Sequence, residues 1–485
     1  MGKLTSNIIY NLSYQLLILI IPLITAPYLS RVLGVDGIGT YSYVFSVAYY
    51  FYIFITLGLA NYGNRAIARV REDRDEVSKT FWSIYFMQLS IGIVIIIAYI
   101  GYVLFLVRTT HRLYFMAFFP YIFAALLDIN WFFFGLTDFK FTTIRNTVVK
   151  LLSLVCIFTL VKTESDLLLY FVIMGATFFL NNLVLWTRVR IKADFYLPSA
   201  REVIVHIKPN IILFIPIIAI SIYRVMDKIM IMELSSVTEN GYYENADKII
   251  TVGITAFSAV ATVMMPSVSN MLAQGKKDEI KILLRDTMQI SMFLAFGIFF
   301  GLISVGRVFA PIFFGEQFYE TGILIQLLSI TVVLSGWKSV LRSQYIIPYE
   351  KDKAYVMSLV AGAAVNVVFN YYFIQLYQAR GAVIGTIAAE FVGFVIQTAV
   401  ASKEINIIRM MRDGCIFVVP GLIMAGIVIG FLHNVTPGVF TLCCSIIIGV
   451  IVYVLLGLIT LFIFDKERFL YYRSKYLHIK ERNGQ

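Results

Sequence analysis

The feature that most restricts this chain is a recurrence. Apolar runs of about 20 residues follow one another along almost its whole length, separated only by short polar breaks. A run of that length crosses the hydrocarbon core of a bilayer as one helix, which satisfies its backbone hydrogen bonds internally; barrel strands would be ten-residue segments of alternating polarity. Composition agrees, since 59% hydrophobic and 14% charged residues make 485 residues too apolar for a water-soluble protein. The expectation is an all-α, polytopic membrane protein of about 14 transmembrane helices. They are spans 1 to 14, at 7–32, 38–61, 80–106, 113–136, 145–162, 167–187, 209–234, 241–264, 286–306, 319–345, 355–375, 381–402, 415–433 and 439–464. No soluble domain is left over.

The formal net charge of +11 raises nucleic acid as a partner, and the placement of the basic residues removes it. About 29 of the 40 Lys and Arg fall in alternate breaks on one side, while the other side holds Arg108, Arg112, Lys162, Arg307 and Arg380. By the positive-inside rule both termini are cytoplasmic, and the basicity reports topology. The stretches "NRAIARVREDRDEVSK" and "SNMLAQGKKDEIKILLRD" read as solvated, amphipathic cytoplasmic faces. The first apolar segment is full length without a small-residue cleavage pattern, so it is expected to stay as an anchor. Cys156, Cys415, Cys443 and Cys444 lack CxxC spacing, and His111, His206, His433 and His478 stand far apart, so neither a metal site nor a catalytic constellation is expected. A nucleotide-binding Walker pattern is also missing, and no cofactor and no enzymatic activity are anticipated.

Charges inside spans carry more information. Each costs roughly 2.5 to 3.5 kcal/mol in hydrocarbon even on a lenient scale, so such groups must face one another or water. The cations are Arg31, Arg224, Lys228, Lys248, Lys338 and Arg342. The acids are Asp128, Asp227, Asp247 and Glu390, with Asp36, Glu233 and Glu244 nearer span ends. Arg224, Asp227 and Lys228 stand at i, i+3 and i+4, which puts them on one helix face and lets Asp227 offset one cation. Lys338 and Arg342 repeat the four-residue spacing with no acid between them. Interhelical ion pairing is one account, strongest for Asp227, Asp247 and Lys248. A net positive, water-filled cavity for an anion such as a phosphate or carboxylate is the account favoured for Arg224, Lys338 and Arg342.

Prolines at Pro22 and Pro27 in span 1 and at Pro209 and Pro216 in span 7 suit bent helices. After span 1 the chain reads "GVDGIGTYSYVFS", and after span 7 "VTENGYYENADKII"; "GLTDFKFTTIRN" and "IPYEKDKAYVMS" follow spans 4 and 10. These likenesses predict two six-helix lobes, 1–200 and 201–405, related by a pseudo-two-fold axis along the membrane normal, as in transporters with parallel repeats. Residues 406–485 are then an extra helix pair and a basic cytoplasmic tail.

The strings "TAPYLSRVLGVDGIGTYSY", "LDINWFFFGLTDFKFTTIRNTVVKLLSL", "SIYRVMDKIMIMELSSVTENGYYENADKI" and "PIFFGEQF" resemble the polysaccharide-transport (Wzx-type oligosaccharide flippase) family of the multidrug/oligosaccharidyl-lipid/polysaccharide (MOP) exporter superfamily. The resemblance covers spans 1 to 12 in sequence and the last two by count and position. It implies two lobes facing a central cavity in a bacterial cytoplasmic membrane. Its cargo would be an undecaprenyl-pyrophosphate-linked oligosaccharide, moved to the outer leaflet for polysaccharide assembly beside a polymerase and other assembly proteins. It also implies a pyrophosphate-handling role for Arg31, Arg224 and Lys228, to which Lys338 and Arg342 are added on charge and depth alone. Lipid II is disfavoured as cargo, because the "SRVLG" of its flippases is followed by an Arg-Asp pair and here by "VDGIG".

Within that frame Tyr41, Tyr49 and Tyr52 are candidates for stacking on sugar rings, packing being the commoner use of tyrosine. Asp128, Asp227, Asp247, Lys248 and Glu390 are candidates for ion coupling or structural pairing. Driving energy is expected from protons, sodium or the membrane potential, worth about 2.3 kcal/mol per charge per 100 mV. A multidrug or cation antiporter of the same superfamily would favour acidic cavity residues. A membrane glycosyltransferase or polymerase needs a larger outer loop, and a channel would lack the paired lobes.

Overall fold

The computed structural model describes the backbone of residues 3–464, with side chains from residue 21 onward except 256 and 258–263. The expected basic tail, 465–485, and the side chains of the first part of span 1 lie outside the described residues. Among the described residues every regular element is helical. Ten helical stretches are long and apolar enough to cross a bilayer, and the bent pair Glu316–Leu328 and Ile330–Ile346, which meet at 42°, makes an eleventh. The protein is a multi-pass membrane protein. Exposed side chains such as Val94, Ile97, Phe105 and Phe440 cover its outside, as suits a hydrocarbon solvent.

Three departures separate these from the fourteen expected spans. Spans 1 and 2 are two helices that meet without a linker at a kink at Gly34 inside Lys3–Thr56 and so count as one stretch; the φ of 70° and ψ of 180° at Gly34 belong to a region open essentially to glycine alone. Span 4 is divided into Thr109–Ala117, Phe119–Leu126 and Asn130–Gly135. Span 8 falls within Val237–Ala273, the helix that contains the side chains not described.

The chain forms two compact units, Met1–Glu244 and Asn245–Gln485. Within the first, the segment after Gly34 meets the start of Val237–Ala273 with backbone against backbone. A Cβ on Gly39 would lie 2.0 Å from the carbonyl oxygen of Val237, and one on Gly241 would lie 2.2 Å from that of Val35. Asn240 donates its Nδ2 to the Gly39 carbonyl at 2.8 Å, and Thr238 donates to Asp36 at 2.6 Å. Two of the stretches that look alike in sequence therefore lie in direct contact.

Within the second unit, Asp352–Tyr377 and Ala379–Ala401 form a close antiparallel hairpin turned at Gln378. The last two spans pack on Lys277–Phe314: Gly421 leaves room for Phe300, Tyr453 donates to the Phe293 carbonyl at 2.6 Å, and Arg285 pairs with Asp413.

Candidate functional site

The break in span 4 creates the polar feature of the first unit. Pro120 lacks the N–H that would continue the first piece, and the chain turns at Phe118. Asp128 ends the second piece: its Oδ1 accepts from the Asn130 backbone N–H at 3.0 Å and from Asn130 Nδ2 at 2.7 Å, a local bond that competes with the helical ladder. The carbonyls freed here cannot be left bare in a bilayer. Gln88 from span 3 donates to the carbonyls of Ala125 at 2.7 Å and Asp128 at 3.1 Å. Asn182 and Trp186 from span 6 donate to those of Ala124 and Leu127 at 2.8 and 3.1 Å.

Asp128 and Asn130 so placed enter the wall of a cavity of about 410 Å³ within this unit. The rings of Tyr49, Tyr52, Tyr121, Trp131 and Phe178 also line it. Tyr52 donates to Asp128 Oδ2 at 2.7 Å while its ring lies 5.0 Å from that of Tyr121. Asn130 accepts from Arg145 at 2.9 Å, so a line of hydrogen bonds runs from Arg145 through Asn130 and Asp128 to Tyr52. Aromatic faces beside a carboxylate and an amide can hold a ring that is apolar on its faces and hydroxylated at its edges. Tyr41 stands elsewhere, among the rings of Phe45, Phe118, Tyr170 and Phe171.

Span 7 and the start of span 8 gather a second polar group. Lys228 pairs with Glu244 at 2.7 Å, and Ser42 donates to the same carboxylate at 2.8 Å. Asp227, almost wholly buried, accepts from Tyr243 at 2.6 Å. Asp227, expected to offset one cation of its own helix face, lies on one helix with Arg224 and Lys228, and Lys228 also meets a carboxylate from the next helix, that of Glu244, an acid that its sequence position put near a span end. Helical spacing states which groups share a face and is silent about the helix opposite. Arg31 and Arg224 are exposed on the first unit.

In the second unit Lys338 is not the unaccompanied cation that its neighbours in sequence suggest. Its Nζ lies 2.6 Å from Glu390, which also accepts from Ser335 at 2.9 Å, and both ions are largely buried. Lys338 and Glu390 are 52 residues apart in the chain, and the packing of span 10 against span 12 joins them. Arg342, one turn beyond Lys338, is half-buried and has no carboxylate within 4.0 Å among the described residues. It opens the π-helical segment Arg342–Ile346, a register common at functional sites. Asp247 and Lys248 are half-buried, and Lys248 donates to Asn245 at 3.4 Å.

Gln88, Asn130, Arg145, Asn182 and Trp186 were not singled out by sequence reasoning. The string "LLDIN" carries a usable signal, since Asp-x-Asn inside an apolar run favours a local turn over a continuous helix. Nothing comparable marks Gln88 or Asn182, whose partners are main-chain atoms of another span.

A family model described as "polysaccharide biosynthesis protein" matches residues 4–272. A putative O-antigen transporter of Escherichia coli (strain K12) is 22% identical over 395 residues, covering 80% of this chain and 94% of that protein. A probable low-salt glycan biosynthesis flippase of Haloferax volcanii is 25% identical over 248 residues, covering 49% of this chain and 50% of that one. Among solved structures, the lipid II flippase MurJ in an inward closed conformation has a TM-score of 0.70 at 17% identity, covering 92% of this chain and 99% of that chain. An inward-facing multidrug transporter of the MOP superfamily has a TM-score of 0.60 at 13% identity, covering 79% and 94%. At those identities the likeness is one of fold, and the fold is that of the MOP exporters.

Proposed function

Because the chain belongs to the polysaccharide biosynthesis protein family, we propose that it is a flippase for lipid-linked oligosaccharides. Its cargo is an undecaprenyl-pyrophosphate-linked repeat unit, carried by alternating access from the cytoplasmic to the outer leaflet of a bacterial plasma membrane. Its products feed the assembly of a capsular, exopolysaccharide or O-antigen-type polymer beside a polymerase, and both termini face the cytoplasm. The names of the relatives, a putative O-antigen transporter and a probable glycan biosynthesis flippase, support the class of cargo. The observation that carries the reading is Arg342: a cation placed inside a span, with no carboxylate within 4.0 Å among the described residues, suits an anionic ligand.

Arg342 in the second unit, and Arg31 and Arg224 in the first, are each taken as cations for the pyrophosphate, and in the first unit Tyr49 and Tyr52 face sugar rings beside Asp128. Lys228 and Lys338 set the local field from within ion pairs. Movement of net negative charge outward follows an inside-negative potential, so the potential supplies part of the drive, with a proton or sodium ion as a further coupling species.

The test is the transfer of a fluorescent lipid-pyrophosphate oligosaccharide across proteoliposome membranes. Arg342→Ala is expected to slow transfer about tenfold or more, the worth of one charge-assisted hydrogen bond, with the folded fraction unchanged. Arg224→Ala provides the second arm. Unchanged transfer in both variants removes the site, and a wild type that ignores every lipid-linked sugar yet exports organic cations replaces the function.

A further inference from the structure

A second site lies in the second unit, on the π-helical segment that Arg342 opens. We propose that the cleft between the start of Lys277–Phe314, the π-helical end of span 10 and the loop after span 12 binds the headgroup of an anionic glycerophospholipid. The cleft has a volume of about 330 Å³. Gln344 stands in its wall, fully buried, and neither its Nε2 nor its Oε1 has a hydrogen-bond partner among the described residues. An orphaned amide of this kind is costly to bury, so a ligand that completes its hydrogen bonds gains affinity.

The charges around the cleft favour an anion. Lys277 and Lys281 stand exposed at its mouth on the first turns of Lys277–Phe314, where helix amides also point outward. Lys281 approaches Asp278 at 3.2 Å, a fully surface contact, and Lys277 has no carboxylate within 4.0 Å among the described residues. The one acid in the wall, Glu404, is already engaged by Lys351 at 2.6 Å. Positive potential is therefore left over.

The walls and the position favour a lipid over a soluble phosphate. Ile280, Leu284 and Ile405 line it, as do the rings of Tyr345 and Tyr349, whose centroids are 4.9 Å apart. The cleft opens where three spans end, beside the amphipathic helix Ile407–Cys415, whose Ile408 is exposed next to Arg409 and Arg412. Exposed apolar and basic side chains side by side suit a membrane interface. A headgroup with both a phosphate and a hydroxyl matches Gln344: Nε2 donates to a phosphoryl oxygen, and Oε1 accepts from the hydroxyl.

Native mass spectrometry of the full chain in detergent, with phosphatidylglycerol against phosphatidylcholine, tests this without reference to transport. Wild type is expected to retain phosphatidylglycerol preferentially, and the Lys277→Gln, Lys281→Gln double variant to lose about tenfold or more of that retention. Gln344→Leu is expected to fold as well as wild type, because it removes an unsatisfied polar group, and to lose retention about threefold. Equal retention of the two lipids, or full retention in either variant, overturns the proposal. Displacement of phosphatidylglycerol by millimolar inorganic phosphate overturns the choice of a lipid.

Discussion

In the first unit the carboxylate of Asp128 is held by neutral donors, the hydroxyl of Tyr52 and the amides of Asn130. In the second unit the carboxylate of Glu390 is held by a cation, Lys338, at 2.6 Å. The first arrangement has no cation among those donors and faces a cavity, so it can still act on a ligand. The second cancels its charge internally and hands the role of local cation to Arg342, one turn on. Burial of an ion pair leaves both partners dependent on each other, whereas a carboxylate satisfied by several neutral donors tolerates the loss of one.

The largest expected effect breaks the pair. Glu390→Leu should lower stability by about 3 to 5 kcal/mol, because Lys338 is left buried without its counter-ion, and Lys338→Met added to it should restore most of the loss. Thermal unfolding of purified protein in detergent reads both, and a loss below about 1 kcal/mol would show that water already solvates Lys338.

A smaller effect is expected at the neutral clamp. Tyr52→Phe removes one hydrogen bond to a charged group, worth about 1.5 to 3 kcal/mol, while the ring stays against Tyr121. The comparison sharpens if the same change at Tyr49, which shares the cavity without touching Asp128, leaves the unfolding midpoint within a degree or so. Equal losses at the two positions would mean that ring packing, not the hydroxyl, holds the site.

The smallest concerns an ion pair of the same type at the surface. Lys351 and Glu404 join the loops after spans 10 and 12, and the hydrogen bond from Lys351 holds the Glu404 carboxyl below its ordinary value of 4.5. A carboxyl depressed in the folded state adds stability that is present above its unfolded pKa and is lost as pH falls through the folded one. Lys351→Met should therefore cost under about 1 kcal/mol at pH 7, and the gap from wild type should narrow as pH falls below about 4.5. A gap that does not change with pH would assign the effect to packing against Tyr345.

Much of this was legible in the residues. The apolar runs marked the spans, and Pro120, one of the prolines inside them, stands at a break in span 4, whereas the kink between spans 1 and 2 falls at Gly34. The in-span charges were found as a set, since ionisable side chains in hydrocarbon stand out by their cost alone. Their pairing was not legible. Lys338 and Glu390 are joined by helix packing, Lys228 turns to Glu244 on the next helix, and Gln88 and Asn182 are explained only by carbonyls that span 4 frees when it breaks.

By itself, then, the order of residues determined a membrane-crossing bundle and the inventory of charges inside its spans, because hydrophobic length and the cost of a bare ion depend on composition along one segment. Tertiary structure alone decided which charges cancel and which stay available, and where a broken span turns a carboxylate into an aromatic cavity. The reason is physical: an ion's partner lies within a few ångströms in space, and in this protein those ångströms are crossed between helices that stand tens of residues apart in the chain.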